Sequence, residues 1–241
     1  MIIRILLFII ITVIATALLA ILQQKINLDF EKITLQQLAP AIGFLVISLL
    51  YAHNGITIGF DFNEAIMLKS LLAFLLPLLL IAIAFFIGNC IGLKIKINKD
   101  ITSLFSVMII GMLVGAIGEE LGWRSFLQQS LEKSNSVLFA SIIVGLIWGL
   151  WHIGHYKNGA VFMIGFLMFT IAASIVLAWI LMDTKYSIII SVLFHTSINI
   201  GYFILFKNAQ TDPKLMVANG IVWMISAIGI VLITGKDLIR V

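Results

Sequence analysis

Six side chains in this sequence join ionisable or amide chemistry to strongly apolar surroundings. They are Glu119, Glu120 and Arg124 in MIIGMLVGAIGEELGWRSFLQQ, His152 in GLIWGLWHIGHY, and His195 with Asn199 in SVLFHTSIN. At membrane depth an ionisable group costs about 2.5–3.5 kcal/mol on insertion scales, so such groups mark function or a paired site. Unpaired and facing lipid, the two glutamates and the arginine would together cost roughly 7–10 kcal/mol on that scale. That is comparable to the stability of an entire domain.

Helical spacing sorts the first cluster. Residues four apart share a face, whereas neighbours point about 100° apart. Glu120 and Arg124 are therefore expected to pair, and Glu119 to point elsewhere without a cationic partner. Adjacent carboxylates in a low dielectric resist ionising together. Glu120 then stays charged against Arg124, and Glu119 is the proton acceptor that a general base requires. His195 and Asn199 also lie four apart, and both can donate to one oxygen, as a developing oxyanion needs. The alternative for this pair is an interhelical hydrogen bond worth about 0.6–2 kcal/mol. His155, beside Tyr156 and Lys157, reads as a solvated histidine at a helix end.

Glycines precede two of these groups. Gly111, Gly115 and Glu119 form one stripe, and Gly145, Gly149 and His152 another. Small residues at this spacing admit close helix approach. If the two stripes face each other, Glu119 meets His152 where the backbones are nearest.

The elements that carry these residues follow from hydropathy. The chain has 241 residues, 62% hydrophobic and 11% charged, and a mean hydropathy of +1.18. That excludes an ordinary soluble domain. Spans of about 20 apolar residues are expected at roughly 4–22, 38–53, 69–93, 101–122, 136–156, 159–182, 186–206 and 215–235, with a kink near Pro77 in the third. The expected fold is an all-α polytopic membrane bundle of about eight transmembrane helices, a single integral-membrane domain over 1–241.

Residues 1–22 have the flavour of a cleavable leader, with Arg4 and Ala15-Thr16-Ala17. The apolar run continues to Leu22, however, which suits a retained span. Cys90 excludes an internal disulfide and reads as packing. The net charge of +4 is scattered over short loops, with Lys94, Lys96 and Lys99 the densest group. This is no nucleic-acid signature, and it leaves membrane orientation open. Trp123 and Trp151 either line a cavity or anchor helices.

The three clusters together resemble a known family. Glu119-Glu120-Leu-Gly-Trp-Arg124 is similar to the EExxxR motif of the CPBP intramembrane proteases, which include type II CAAX prenyl endopeptidases and bacteriocin-immunity-type proteins. Trp148-Gly-Leu-Trp-His152 resembles the second motif, an aromatic residue four before a histidine, and His195-Thr-Ser-Ile-Asn199 the third, HxxxN. The resemblance covers about 101–205, the expected catalytic core, and the first hundred residues carry no motif.

It implies a peptide hydrolase in which Glu119 and His152 activate a water. His195 and Asn199 hold the oxyanion, and Glu120 with Arg124 orders the site within a conical cavity. Some relatives carry proline shortly after the second-motif histidine, where this chain has Ile153-Gly154-His155. No cofactor is expected. A zinc variant would use Glu119, His152 and His195, although no HExxH is present.

The expected partners are the lipid bilayer and a membrane-associated protein or peptide substrate, in a multi-pass protein of a bacterial cell membrane. Its role would be CAAX-type processing, peptide maturation or bacteriocin self-immunity. A non-catalytic immunity or scaffold protein is the alternative. A proton-coupled transporter is disfavoured by the lack of a paired inverted repeat.

Overall fold

The computed structural model describes residues 1–30, 32–51, 55–61, 63–100, 102 and 107–239. The ends of the expected 38–53 and 101–122 spans fall partly outside them. The chain forms α1 (Ile2–Lys25), α2 (Ala39–Leu50), α3 (Glu64–Cys90), α4 (Val107–Glu120), α5 (Gln129–Glu132), α6 (Val137–Trp151), α7 (Ala160–Leu181), α8 (Ile188–Gly201) and α9 (Pro213–Ile239). Each expected apolar segment overlaps one of the longer helices, and the molecule is an integral multi-pass membrane bundle. Among the described residues, five helices are long and apolar enough to cross a bilayer. In contrast, α2 and α6 have only 12 and 15 residues, so each rises less than the ~30 Å of a hydrocarbon core, whereas α8 reaches span length through its continuation to Ala209.

Two departures from regular helix adjoin the motifs. α4 continues without a break as a π-helix, Leu121–Gln128, before α5, and α8 continues as a π-helix, Tyr202–Phe206. Such wide turns recur at functional sites. α3 runs through Pro77, which is buried inside it. Asn63 and Ser136 start α3 and α6 by accepting from the amides of Ile66 and Phe139 at 3.0 and 3.2 Å, which supplies orphan donors with partners.

α7 is the central helix. Its most apolar window is 67% buried, against 17% for α1, and it packs chiefly on α9 and α6. α8 packs on α3 and α4, and α1 on α2. At one end of the bundle the α2–α3 connection is pinned down. Gly59 bridges to Ser187, Gln129 bonds both backbone groups of Thr57 at 2.9 and 2.6 Å, and the Tyr186 hydroxyl donates to Glu132.

Between α1 and α2 the chain runs irregularly along α4 and in the same direction. A Cβ added at Gly111, Gly115, Gly118 or Gly122 would meet, in turn, Lys32, Gln37, Gln37 with Leu38, and Pro40. Within this stretch Leu35–Leu38 is a single 3-10 turn. Irregular backbone at membrane depth is tolerated where protein buries it and satisfies its polar groups. Gln23, fully buried on α1, does part of this. Its amide donates to Ile33 O at 2.7 Å and its carbonyl accepts from Leu35 N at 2.8 Å.

The two glycine stripes therefore do not face each other. The α4 glycines receive residues 32–40, whereas Gly145 and Gly149 receive Ile171, Thr170 and Leu167 of α7. Spacing marks a face suited to close approach but does not say what approaches it. Cys90 is likewise exposed at the end of α3 rather than packed inside.

Candidate active site

Glu119 and Glu120 occupy the last turn of α4, and neither has any exposed surface. Arg124, one step into the π-helix, is 3% exposed. It pairs with Glu120 as the four-residue spacing predicts: Nε lies 3.2 Å from Oε2, and Nη1 donates to Oε1 at 3.3 Å. The same Oε1 accepts from His195 Nδ1 on α8 at 2.7 Å. Glu120 is thus paired with one cation and bonded to one imidazole, its Oε2 in ion-pair contact without a hydrogen bond.

Glu119 has a different environment. Its Oε2 accepts from the indole N–H of Trp148 on α6 at 2.7 Å. Its Oε1 accepts from the side-chain amide of Gln37 at 2.9 Å. His195 Nε2 lies 3.9 Å from Oε1, beyond direct hydrogen-bond reach. One imidazole therefore spans the two carboxylates, bonded to the second and facing the first.

Trp148 joins these groups. The Arg124 guanidinium lies 4.9 Å over its ring, and the rings of His195 and His152 approach edgewise at 5.5 and 5.9 Å. α6 ends immediately after, and His152 is its C-terminal cap. His152 Nδ1 lies 2.8 Å from the Trp148 carbonyl. A carbonyl only accepts, so Nδ1 carries the hydrogen and satisfies a last-turn acceptor. In the neutral ring Nε2 then holds the free lone pair.

His155 differs from its expected solvated state. It is half-buried, stacked parallel to His152 at 5.6 Å, with Phe162 and Phe166 at 5.4 and 4.5 Å. The short segment Ile153–Asn158 folds back on α7 and carries the ring into this aromatic cluster.

Asn199 lies half-buried one turn after His195. Among the described residues its carboxamide has no hydrogen-bond partner. Trp123 and Trp151 act as anchors. They meet edge to face at 5.6 Å, Trp123 packs on Phe8 of α1, and Trp151 donates to Thr16 at 2.8 Å.

The expected open cavity is not present around the carboxylates. Glu119 and Glu120 are completely covered and His195 is 4% exposed, whereas His152 and Asn199 keep partial exposure. Among the described residues no three His, Cys, Asp or Glu side chains are grouped to hold a metal. Both oxygens of Glu119 and one nitrogen of each histidine already have protein partners.

Gln37 is the site residue that sequence reasoning missed. It sits in a Gln36-Gln37 pair ahead of an apolar run, a pattern that reads as the edge of a span. The Trp148 indole was visible only as part of a motif.

Residues 101–201 match the family described as type II CAAX prenyl endopeptidase Rce1-like. Lysostaphin resistance protein A of Staphylococcus haemolyticus is 26% identical over 211 residues, covering 85% of this chain and 58% of that protein. The Staphylococcus epidermidis protein of the same name is 26% identical over the same length, covering 55% of itself. CAAX prenyl protease 2 of Methanococcus maripaludis is 26% identical over 134 residues, which is 51% of this chain and 48% of that protein. The chain spans about half the length of the curated relatives it matches. The resemblance read from the three motifs is confirmed, and Glu119, Glu120, Arg124, His152, His195 and Asn199 all lie within the matched stretch. Gln37 lies outside it.

Proposed function

We propose that this chain, Rce1-like over residues 101–201, is an intramembrane endopeptidase that hydrolyses a peptide bond with Glu119 as general base. One observation carries the reading: two adjacent buried carboxylates have different partners. Glu120 is neutralised by Arg124 and bonded to His195, whereas Glu119, among the described residues, is held by two neutral donors and faces an imidazole nitrogen across 3.9 Å. That nitrogen stands beside the carboxylate, where it can donate to charge developing next to it.

In the reaction, which needs the covered carboxylate to open, Glu119 takes a proton from a water as the water oxygen bonds to the scissile carbonyl carbon. The neutral Nε2 of His152 is the second acceptor that orients the water. Charge develops on the carbonyl oxygen, where the Asn199 amide and His195 Nε2, when it carries the proton, are the donors. His195 Nδ1 stays committed to Glu120, which fixes the ring. Collapse of the tetrahedral intermediate breaks the C–N bond, and Glu119 returns the proton to the leaving amine. No step requires a metal. Substrate reaches the site from the side on which His152 and Asn199 are partly exposed.

The substrate class is a membrane-associated protein or peptide. CAAX-type processing, peptide maturation and bacteriocin self-immunity all supply one. The test compares wild type with Glu119→Ala and His152→Ala in proteoliposomes, reading membrane peptides by mass spectrometry. Products present in wild type should fall by at least about 100-fold in both variants, and wild-type cleavage should survive chelation. Undiminished cleavage by Glu119→Ala sinks the proposal, and activity lost to chelator and restored by zinc replaces the metal-free version.

The complete covering of Glu119 and the relatives named for lysostaphin resistance favour one alternative, a non-catalytic resistance factor. In that case Glu119→Gln retains protection with no peptide cleaved.

A further inference from the structure

The matched stretch does not contain the whole site. Gln37 reaches Glu119 from the irregular segment between α1 and α2, and its amide donates to Oε1 at 2.9 Å. That is the oxygen facing His195 Nε2. The approach requires Gly115: a methyl there would overlap the Gln37 carboxamide, and one at Gly118 would stand 2.6 Å from the Gln37 carbonyl. Gly115 lies four residues before Glu119, so one face of α4 presents both the carboxylate and the gap that admits its donor. Trp148 supplies the only other hydrogen bond to Glu119 among the described residues, and it binds the other oxygen. Two rigidly placed donors on opposite oxygens fix the plane of a carboxylate that one donor would leave free to rotate.

We infer that Gln37 is a positioning residue for the reaction, holding the Glu119 carboxylate in the plane from which Oε1 meets the water, and that Gly115 exists to let it do so. The inference rests on Glu119 being the general base. It extends the working site beyond the three motifs to a segment that carries none of them. Gln37 contacts neither the water nor the substrate; it acts through Glu119.

The groups around Glu119 confine the effect to orientation. Glu120 and Arg124 neutralise each other, and His195 keeps its bond to Glu120. None of these contacts involves Gln37. Losing its amide should therefore change the placement of one carboxylate and leave the remaining ionic pairing intact. Mispositioning of a reacting group lowers turnover more than substrate binding.

The experiment uses the full chain in proteoliposomes, with Gln37→Leu and Gly115→Ala as independent variants. The first removes the donor at similar volume, and the second displaces the donor without changing it. Two readouts are taken. The infrared carboxyl band that disappears in Glu119→Gln identifies Glu119, and it should shift in both variants whether or not cleavage occurs. For peptide cleavage, kcat should fall about 10- to 100-fold, the range for losing one hydrogen bond to a charged group, with KM within about twofold.

A kcat loss without a band shift, accompanied by a lower unfolding temperature, makes Gln37 merely structural and overturns the inference. An unchanged band and unchanged kcat in both variants overturn it too. Cleavage that survives Glu119→Gln removes the reading beneath it, a result distinct from either.

Discussion

Arg124 shows how much one side chain can hold in place at this site. Its guanidinium touches both oxygens of Glu120 and lies over the Trp148 ring, which in turn holds Glu119. Removing one partner of a buried pair leaves an uncompensated charge and costs about 3–5 kcal/mol. Arg124→Met should lower unfolding stability in detergent by about that amount. Arg124→Lys should lose less, because the charge survives while the planar two-point contact does not. The Glu120–Arg124 pair was legible in the sequence because four-residue spacing alone sets it. The bonds from His195 to Glu120 and from Gln37 to Glu119 were not, since they join residues 75 and 82 positions apart. No local periodicity encodes such contacts. The same holds for His155, whose neighbours Lys157 and Tyr156 suggest water, while Phe162 and Phe166 of α7 bury it.

Glycine spacing correctly marked close-packed faces on two elements but did not identify what packs on them. On α6, a Cβ at Gly145 would meet the backbone of Ile171 and Thr170 at 2.5 and 2.7 Å, whereas one at Gly149 meets side chains of Leu167 and Thr170. Backbone cannot step aside locally, but side chains can change rotamer. Gly145→Ala should therefore destabilise by about 1–3 kcal/mol and Gly149→Ala by less, as read from unfolding midpoints in the same detergent. A reversed order would mean that α6 and α7 are spaced by something other than Gly145. The π-helical stretches, Leu121–Gln128 and Tyr202–Phe206, were beyond sequence reading. Nothing in LGWRSFLQ distinguishes a wide turn from an ordinary one, and tertiary packing makes the choice.

Across the whole molecule, hydropathy located the helical segments well, because lipid demands long apolar runs whatever their partners. It could not show that the site would be covered, since closure depends on how α4, α6, α8 and the stretch before α2 converge. Nor did it reveal that α1, outside the matched residues 101–201, braces the site. Phe8 of α1 is fully buried against Trp123 and Phe126 at 5.7 and 4.8 Å, within the π-helix that carries Arg124. Phe8→Ala should cost about 3–5 kcal/mol, as for other large buried aromatics, and cleavage should fall with it. Unchanged stability would show that the π-helix stands without α1.

The run of chain from Lys32 to Pro40 also constrains how the protein is made. It is synthesised before α4, yet the glycine groove that receives it belongs to α4. Without α4 only part of its backbone is satisfied, by Gln23 of α1, and the rest meets water or hydrocarbon, of which hydrocarbon is prohibitive. Burying this stretch in hydrocarbon before α4 arrives is therefore costly. The stretch completes its packing only when the later helix stands beside it.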